Sequence, residues 1–385
     1  MVTFLPTTPG RLADVPSFDR GIGGAESNVA CALAAAGHPV RWVSRVGADG
    51  FGDHLVEAIG AYGVDVTAVR RDPARPTGVY FRTAGERGTD AHEVAYYRAG
   101  SAASAMSAED VRVGACRVLH LSGITAALSA SCLGLTRALT APRPGRPLVS
   151  FDVNHRAGLW SGGDGPRVLA ELARGADLVF VGEDEAEEVW GVAGGPAAIR
   201  ELLPEPAVLV VKQGARGATA FVSAADRWGL VAQFPAPLRP IAGTGVEASA
   251  EPAEPADSAQ PGGSRAAGAM GVPPVERSRE RRRVGADGTF EPAPRVDVVA
   301  TTGAGDAFAA GFLSATLRGL PLRDRLRHAH LWAAAALTAP GDLAAPPPHD
   351  TAARLAALPG HAWERLHLGP GWTRAEQAPE EVRTP

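Results

Sequence analysis

The sequence predicts an α/β protein: a mostly parallel sheet with helices on both faces, plus a small β lid. Three observations carry that expectation. From Val118 to about residue 224, short apolar runs alternate with helix-like segments, as βαβ units require. A glycine loop, TTGAGD (301–306), joins a strand-like run to a helix of small residues. Finally, TGVYFRTA (77–84) and HEVAYYR (92–98) flank a Gly-rich turn, GERGTD, which signals a β-hairpin.

The elements read in order as follows. A glycine turn at IGGAES leads into an apolar helix from Asn28 to Ala36, stopped by Gly37. VRWVSRV (40–46) has strand character, and FGDHLVEAIGAYG (51–63) is an amphipathic helix closed by Gly63. After the hairpin, VLHLSG, PLVSFDVN, DLVFVG and AVLVVKQG read as strands, with ATAFVSA after the last. The intervening helices are SASCLGLTRAL, RVLAELARG, EDEAEEVWG and AAIRELL. Strands this uniformly apolar are covered on both faces. Open sheets of this kind bind ligands at the carboxyl ends of their strands, which directs attention to VSFDVNHR, VFVGEDE and VVKQGARG. Residues 236–295 are rich in Ala, Pro, Gly, Ser and Glu and carry the run ERSRERRR (276–283), so a disordered insertion is expected there. The arginines read first as a solvated charged linker, with a contact for nucleic acid or an acidic partner as the alternative. VDVVA then reads as a strand before the glycine loop, and AHLWAAAALTA (329–339) as a second apolar helix. The domain is expected to end near 345, leaving a Pro-rich extension over 346–385.

The 385 residues allow one large domain or two modest ones. A net charge of −4 gives no basic surface for nucleic acid. Three cysteines (Cys31, Cys116, Cys132) make no disulfide framework and show no metal-ligand spacing, so a reduced, cytoplasmic protein is expected. No apolar run is long enough to span a bilayer, and MVTFLPTTPGR lacks the features of a secretory signal, so no membrane association is expected. Lys212 is the only lysine; every other basic residue is arginine. Such a site either keeps its lysine by chance or needs a compact ammonium.

Five segments could carry chemistry. In TTGAGD, Gly303 and Gly305 let the backbone present successive N–H groups at a helix start, where anions bind well. Asp306 in the first helical turn is either a cap or a base. VVKQGARG contains Lys212, with Gly214 and Gly217 permitting close approach to the backbone. FDVNHR sets Asp152, Asn154 and Arg156 at period two, either toward a ligand or with Asp152 and Arg156 as an ion pair. GEDEAEE (182–188) places acids at a helix start, as dipole complements or as a water-mediated Mg²⁺ site. YYR (96–98) offers two hydroxyls and a guanidinium on the lid. There is no GxxxxGK[ST], and IGGAES does not match GxGxxG, which disfavours P-loop NTPases and dinucleotide dehydrogenases.

Together these segments resemble the ribokinase-like carbohydrate kinases of the pfkB family. IGGAESNVACALAAAG is similar to that family's first signature and ATTGAGDAFAAGF to its second. GGAESNVA, PTGVYF, YYRAGSAAS, FDVNHRAGLW and VKQGARGA look most like its 2-keto-3-deoxygluconate kinases. The resemblance implies a ribokinase-like, Rossmann-like fold and ATP-dependent phosphorylation of the 6-hydroxyl of a keto-deoxy sugar acid. By it, Asp306 is the catalytic base and Gly303, Ala304 and Gly305 hold the charge on the transferred phosphoryl group. Gly24, Asn28, Tyr80, Tyr96, Arg98 and Arg156 hold the sugar acid, with both arginines suited to its carboxylate. Asn154, Lys212, Gly214 and Gly217 line the nucleotide, and Glu185 matches the position associated with Mg²⁺. The lids of this family often pair between subunits, so a homo-oligomer is expected. A fructokinase-like neutral-sugar kinase and a non-catalytic sugar- or nucleotide-binding relative are the alternatives.

The chain departs from the family pattern at four places. Ala300 stands where an Asp helps several members bind a monovalent cation, which leaves open whether such a cation takes part. Gly182 replaces a common Asn. The usual opening strand with a Gly-Glu pair is missing before MVTFLP, so either the start lies upstream or the sheet lacks a strand and exposes an edge. The insertion just before the phosphate loop adds little closure entropy and need not abolish activity.

Overall fold

The computed structural model describes residues 1–83, 93–160, 162–223 and 288–374. The expected turn GERGTD and the insertion from 236 to 287 lie outside the described residues.

The chain opens with a strand that the sequence reading left unassigned. β1 (Val2–Pro6) pairs antiparallel with β2 (Phe18–Ile22). Helix α1 (Ala25–Ala35) follows the glycine turn and starts earlier than expected, because Gly24 at φ +152° ends the extended chain. β3 (Ser44–Gly47) is only the tail of VRWVSRV. Helix α2 (Gly50–Ala61) is capped by Asp49, whose side chain accepts from Gly52 N at 2.8 Å. β4 (Val69–Asp72) pairs parallel with β3 in a separate two-stranded sheet. The hairpin strands are β5 (Val79–Arg82) and β6 (Val94–Tyr97), with Tyr80 opposite Tyr96. The lid sheet therefore has four strands in the order β2-β1-β5-β6 rather than the two of the hairpin.

The βαβ region folds as its periodicity predicts. It comprises β7 (Val118–Ser122), α3 (Gly123–Ala127), α4 (Ala130–Thr140) and β8 (Leu148–Asp152). Then come α5 (Gly165–Gly175), β9 (Leu178–Gly182), α6 (Glu183–Trp190), α7 (Gly195–Leu202), β10 (Val208–Lys212) and β11 (Gly217–Val222). β12 (Thr289–Pro292) completes a six-stranded sheet of order β12-β11-β10-β9-β8-β7. β7 to β10 run parallel; β11 and β12 are antiparallel additions.

β12 corrects the expected insertion boundary of 295. Its strand signal, TFEP, is short and followed by prolines, but burial of Glu291 between Arg323 Nε (2.7 Å) and Arg327 Nε (3.0 Å) fixes it in the sheet. The strand expected over VDVVA shrinks to β13 (Arg295–Val296), while Val298 and Val299 are exposed. Helices α8 (Ala304–Leu317) and α9 (Leu322–Leu337) follow.

The stretch from 346 is no loose extension. It forms α10 (His349–Ala356), α11 (Gly360–Trp363) and β14 (His367–Leu368), the last paired with β13. Trp363, Leu366, Leu368 and Trp372 bury there against Leu331 and Ala335 of α9. Four aromatic or leucyl side chains leaving water outweigh the poor helix propensity of the proline-rich sequence.

Strand alternation sorts the core into two layers. Leu148, Leu178, Phe180, Val208 and Val210 face α1, α8 and α9, whereas Val149, Phe151, Val179, Val181, Leu209 and Val211 face α5, α6 and α7. Each fully buried Phe or Leu in these layers contributes about 1.5–3 kcal/mol. Among the described residues, no helix is long and apolar enough to cross a membrane.

Candidate active site

Among the parallel strands β7 to β10, the Asp, Glu, Lys and Arg residues are two, and both lie at carboxyl ends. Continuing the alternation, Asp152 ends β8 and Lys212 ends β10 on the same face, the one covered by α8. Lys212 Nζ lies 3.0 and 3.2 Å from the two carboxylate oxygens of Asp152. Arg156, the partner expected for an Asp152 ion pair, is exposed and donates to the carbonyl of His155 at 2.7 Å. β8 stops at Asp152, and Asn154 is buried at φ +40°, a backbone state rare outside glycine.

The glycine loop sits over this pair. Gly303, at φ +82°, caps α8 in the left-handed region that glycine favours. A Cβ on Gly305 would stand 3.7 Å from Lys212 Nζ, so the ammonium and the open helix N-terminus face the same space. Both favour an anion. Asp306, in the first turn of α8, accepts a hydrogen bond from Asn28 Nδ2 of α1 at 2.8 Å.

Burial is the main force on the titrating groups. It raises Asp306 to about 7; Asn28 and Lys212 pull down, while Asp152 and Glu26 push up. Burial pulls Lys212 down, but Asp152, Glu185 and Asp306 outweigh it and the net shift is upward. A carboxyl poised near neutral pH at an anion-holding helix start suits proton abstraction from a hydroxyl. Glu26 escaped the sequence reading. It accepts from Ser122 Oγ (2.7 Å) and Thr125 Oγ1 (2.6 Å), and its charge acts on Asp306. Its only sequence signal was an acid within the GGAES turn.

On the sugar side, Arg98 stacks on the Tyr96 ring, 4.2 Å from its centroid, and Tyr96 is 46% exposed. Burial lowers the Arg98 pKa, and the positive charge of Arg156 lowers it further. Two guanidinium groups that repel each other invite a carboxylate between them. Arg98 Nε and Asn28 Oδ1 are buried with no hydrogen-bond partner among the described residues, as ligand-directed atoms would be. Gly24 caps α1. Tyr80, also expected at the sugar, is buried, and its hydroxyl donates to Asp342.

The nucleotide-side residues divide. Lys212 and Gly305 converge, as above. Gly214 makes a turn at φ +58° with open space around it. The glycine requirement at Gly217 comes from β12: a Cβ there would lie 2.3 Å from the carbonyl oxygen of Glu291. Glu185 accepts from Gly182 N (2.9 Å) and His155 N (2.5 Å), so its side chain caps the start of α6. Glu183 pairs with Arg216 at 2.6 Å. No group of three His, Cys, Asp or Glu among the described residues forms a metal cage. Mg²⁺ carried by a nucleotide keeps several waters and needs only one or two carboxylates, which Glu185 beside Asp152 can supply.

An α/β sheet with an anion-binding glycine loop, a near-neutral carboxyl and a lysine at its carboxyl end defines a phosphotransferase. Residues 1–236 and 283–349 match the pfkB family of carbohydrate kinases, and the chain belongs to that family. It is 34% identical over 220 residues to 2-dehydro-3-deoxygluconokinase of Thermoproteus tenax, covering 56% of this chain and 67% of the relative. It is 29% identical over 353 residues to 2-dehydro-3-deoxygluconokinase of Bacillus subtilis, covering 89% of each. Its fold is shared with a sugar kinase of Pyrococcus horikoshii solved in complex with ATP, at a TM-score of 0.65 and 21% identity over 90% of this chain and 92% of that one.

Proposed function

We propose that this carbohydrate kinase transfers the γ-phosphoryl group of ATP to the 6-hydroxyl of 2-keto-3-deoxygluconate. The observation that carries the reading is Asp306, a carboxyl raised to about 7, oriented by Asn28 at the open N-terminus of α8. Asp306 takes the proton of the attacking hydroxyl. That oxygen bonds to the γ-phosphorus, the bond to the β–γ bridging oxygen breaks, and ADP leaves. The N–H groups of Gly303, Ala304 and Gly305 and the ammonium of Lys212 hold the charge that spreads over the phosphoryl oxygens. Mg²⁺, held through water by Glu185, would neutralise part of the phosphate charge when the nucleotide is bound. Asn154 and Gly214 border the nucleotide.

Arg98 and Arg156 select an acid over a neutral sugar, because two guanidiniums without a carboxylate partner among the described residues gain most from a carboxylate. Tyr96 and Asn28 complete the sugar's contacts. One lid face carries Phe4, Phe81 and Tyr97 in ring contact, with Phe51 of α2 against Phe4 and Tyr97 65% exposed, and we assign its exposed part to pairing with a second copy. The test of substrate is an ADP-release assay with the keto-deoxy acid and fructose side by side. Turnover of the acid alone is expected; turnover of fructose alone would assign a neutral-sugar kinase.

A further inference from the structure

Asp342 lies in the turn after α9, outside every motif of the sequence reading, and is only 6% exposed. Its two carboxylate oxygens are held by one lid strand. Tyr80 donates its hydroxyl to Oδ2, and Arg82 donates Nη2 to Oδ1. Those two residues are two apart on β5 and therefore share a lid face.

The backbone of Asp342 faces the other way, against the anion loop. A Cβ on Gly303 would fall 2.1 Å from the Asp342 carbonyl oxygen. A Cβ on Gly23 would fall 2.0 Å from the Tyr80 hydroxyl and 2.8 Å from Asp342 Oδ2. The same contact thus reaches the turn ahead of α1, the helix whose Asn28 holds Asp306. One buried residue touches the lid strand, the phosphate loop and, through Tyr80, the approach to the base.

We propose that Asp342 is a positioning residue that ties lid strand β5 to the 303–305 loop, so that lid seating and the aim of the loop N–H groups are set together. This rests on the kinase reading of the site. A buried ion pair with several partners fixes geometry more than it adds stability. With the tie cut, the lid excludes water less well, and water competes with the sugar hydroxyl for the γ-phosphorus. That side reaction breaks the same β–γ bridging bond and yields ADP, inorganic phosphate and a proton.

The test compares wild type with Asp342→Asn, Asp342→Ala, Arg82→Ala and the Arg82/Asp342 double alanine variant. For each, kcat and KM are measured with sugar, along with ATP hydrolysis without it. Asp342→Ala is expected to lower sugar kcat at least about tenfold with little change in KM for ATP, and to raise the hydrolysis-to-transfer ratio about fivefold or more. The double variant should be no worse than Asp342→Ala. A loss of both reactions in proportion would mean a purely structural role and overturn the proposal. If the alanine variant does not fold, Asp342→Asn, which keeps the size and one acceptor, carries the same ratio. Hydrogen exchange adds a readout independent of the sugar: Arg82→Ala, a lid change, should speed exchange of the amides at 303–307. Unchanged exchange there would also overturn the coupling. A wild type inactive on both sugars would sink the substrate reading alone, and the exchange result would still decide this one.

Discussion

Asn28 and Asp306, 278 residues apart in sequence, share a hydrogen bond of 2.8 Å from Asn28 Nδ2 to Asp306 Oδ2. It joins the first helix of the chain to the helix that carries the phosphate loop, through a core that both helices help to build. The bond favours the ionised carboxylate; burial, the larger influence, opposes it. The balance leaves a base that is ionised at pH 8 and still able to hold a proton.

Replacing Asp306 by Asn should cut kcat by at least about a hundredfold while leaving ATP affinity within a few-fold, because only the proton acceptor is lost. Steady-state kinetics and nucleotide titration read both. The same change should stabilise the protein at pH 8. The folded-state value of about 7 lies above the ordinary aspartate value of 3.8, so folding penalises the charged form. That penalty is absent below the unfolded value and grows as pH rises toward 7. Its removal is worth at most about 4 kcal/mol, less to the extent that water reaches this half-buried group. Thermal melts at pH 8 check it; an unchanged or lower melting temperature would contradict the account.

The pH profile should follow the base. kcat/KM is expected to fall about tenfold per pH unit below an apparent pKa near 7. Asn28→Ala removes a hydrogen bond that lowers Asp306, so its acid limb should move to higher pH. A limb that stays in place would remove Asn28 from the mechanism.

The buried pair of Lys212 and Asp152 gives an asymmetric expectation. Asp152→Ala removes the hydrogen-bonded carboxylate of the ammonium, leaving it Glu185 and Asp306, and should lower stability by about 1.5–3 kcal/mol. Lys212→Gln keeps more of the fold but loses a charge beside Gly305, so it should weaken ATP binding at least about tenfold. Denaturant melts and nucleotide titration separate the two effects.

Much of this was legible in the sequence, and the failures have physical causes. The βαβ strands were readable because both faces of each are buried, which forces unbroken apolar runs. The 303–306 loop was readable because only glycine accepts its left-handed turn and its close approach to Asp342. β1, β2 and β12 were not: all are short, and β1 and β12 lean on partners distant in sequence, β5 and β11. The contact of Tyr80 with Asp342 was not legible, because nothing local reveals that its hydroxyl meets a carboxylate 262 residues away. Asp152 was singled out with two readings left open, toward a ligand or paired with Arg156; its partner Lys212 is delivered by the strand register and not by proximity in sequence. The tail beyond 346 looked featureless because prolines mask a cluster of buried tryptophans.

Arg98 and Arg156 should behave as selectors. Alanine at either position is expected to raise KM for the sugar acid about ten- to a hundredfold, with a much smaller effect on any neutral sugar. Equal losses on both classes would assign these residues to the lid's structure.

The central claim is that this site phosphorylates a sugar acid through Asp306. The most direct measurement is ATP-dependent product formation from 2-keto-3-deoxygluconate by wild type and Asp306→Asn, with fructose as the competing acceptor. The account predicts a 6-phosphorylated acid from wild type, none detectable from the variant, and little or no fructose phosphate. Preferential phosphorylation of fructose, or undiminished product from Asp306→Asn, would contradict it.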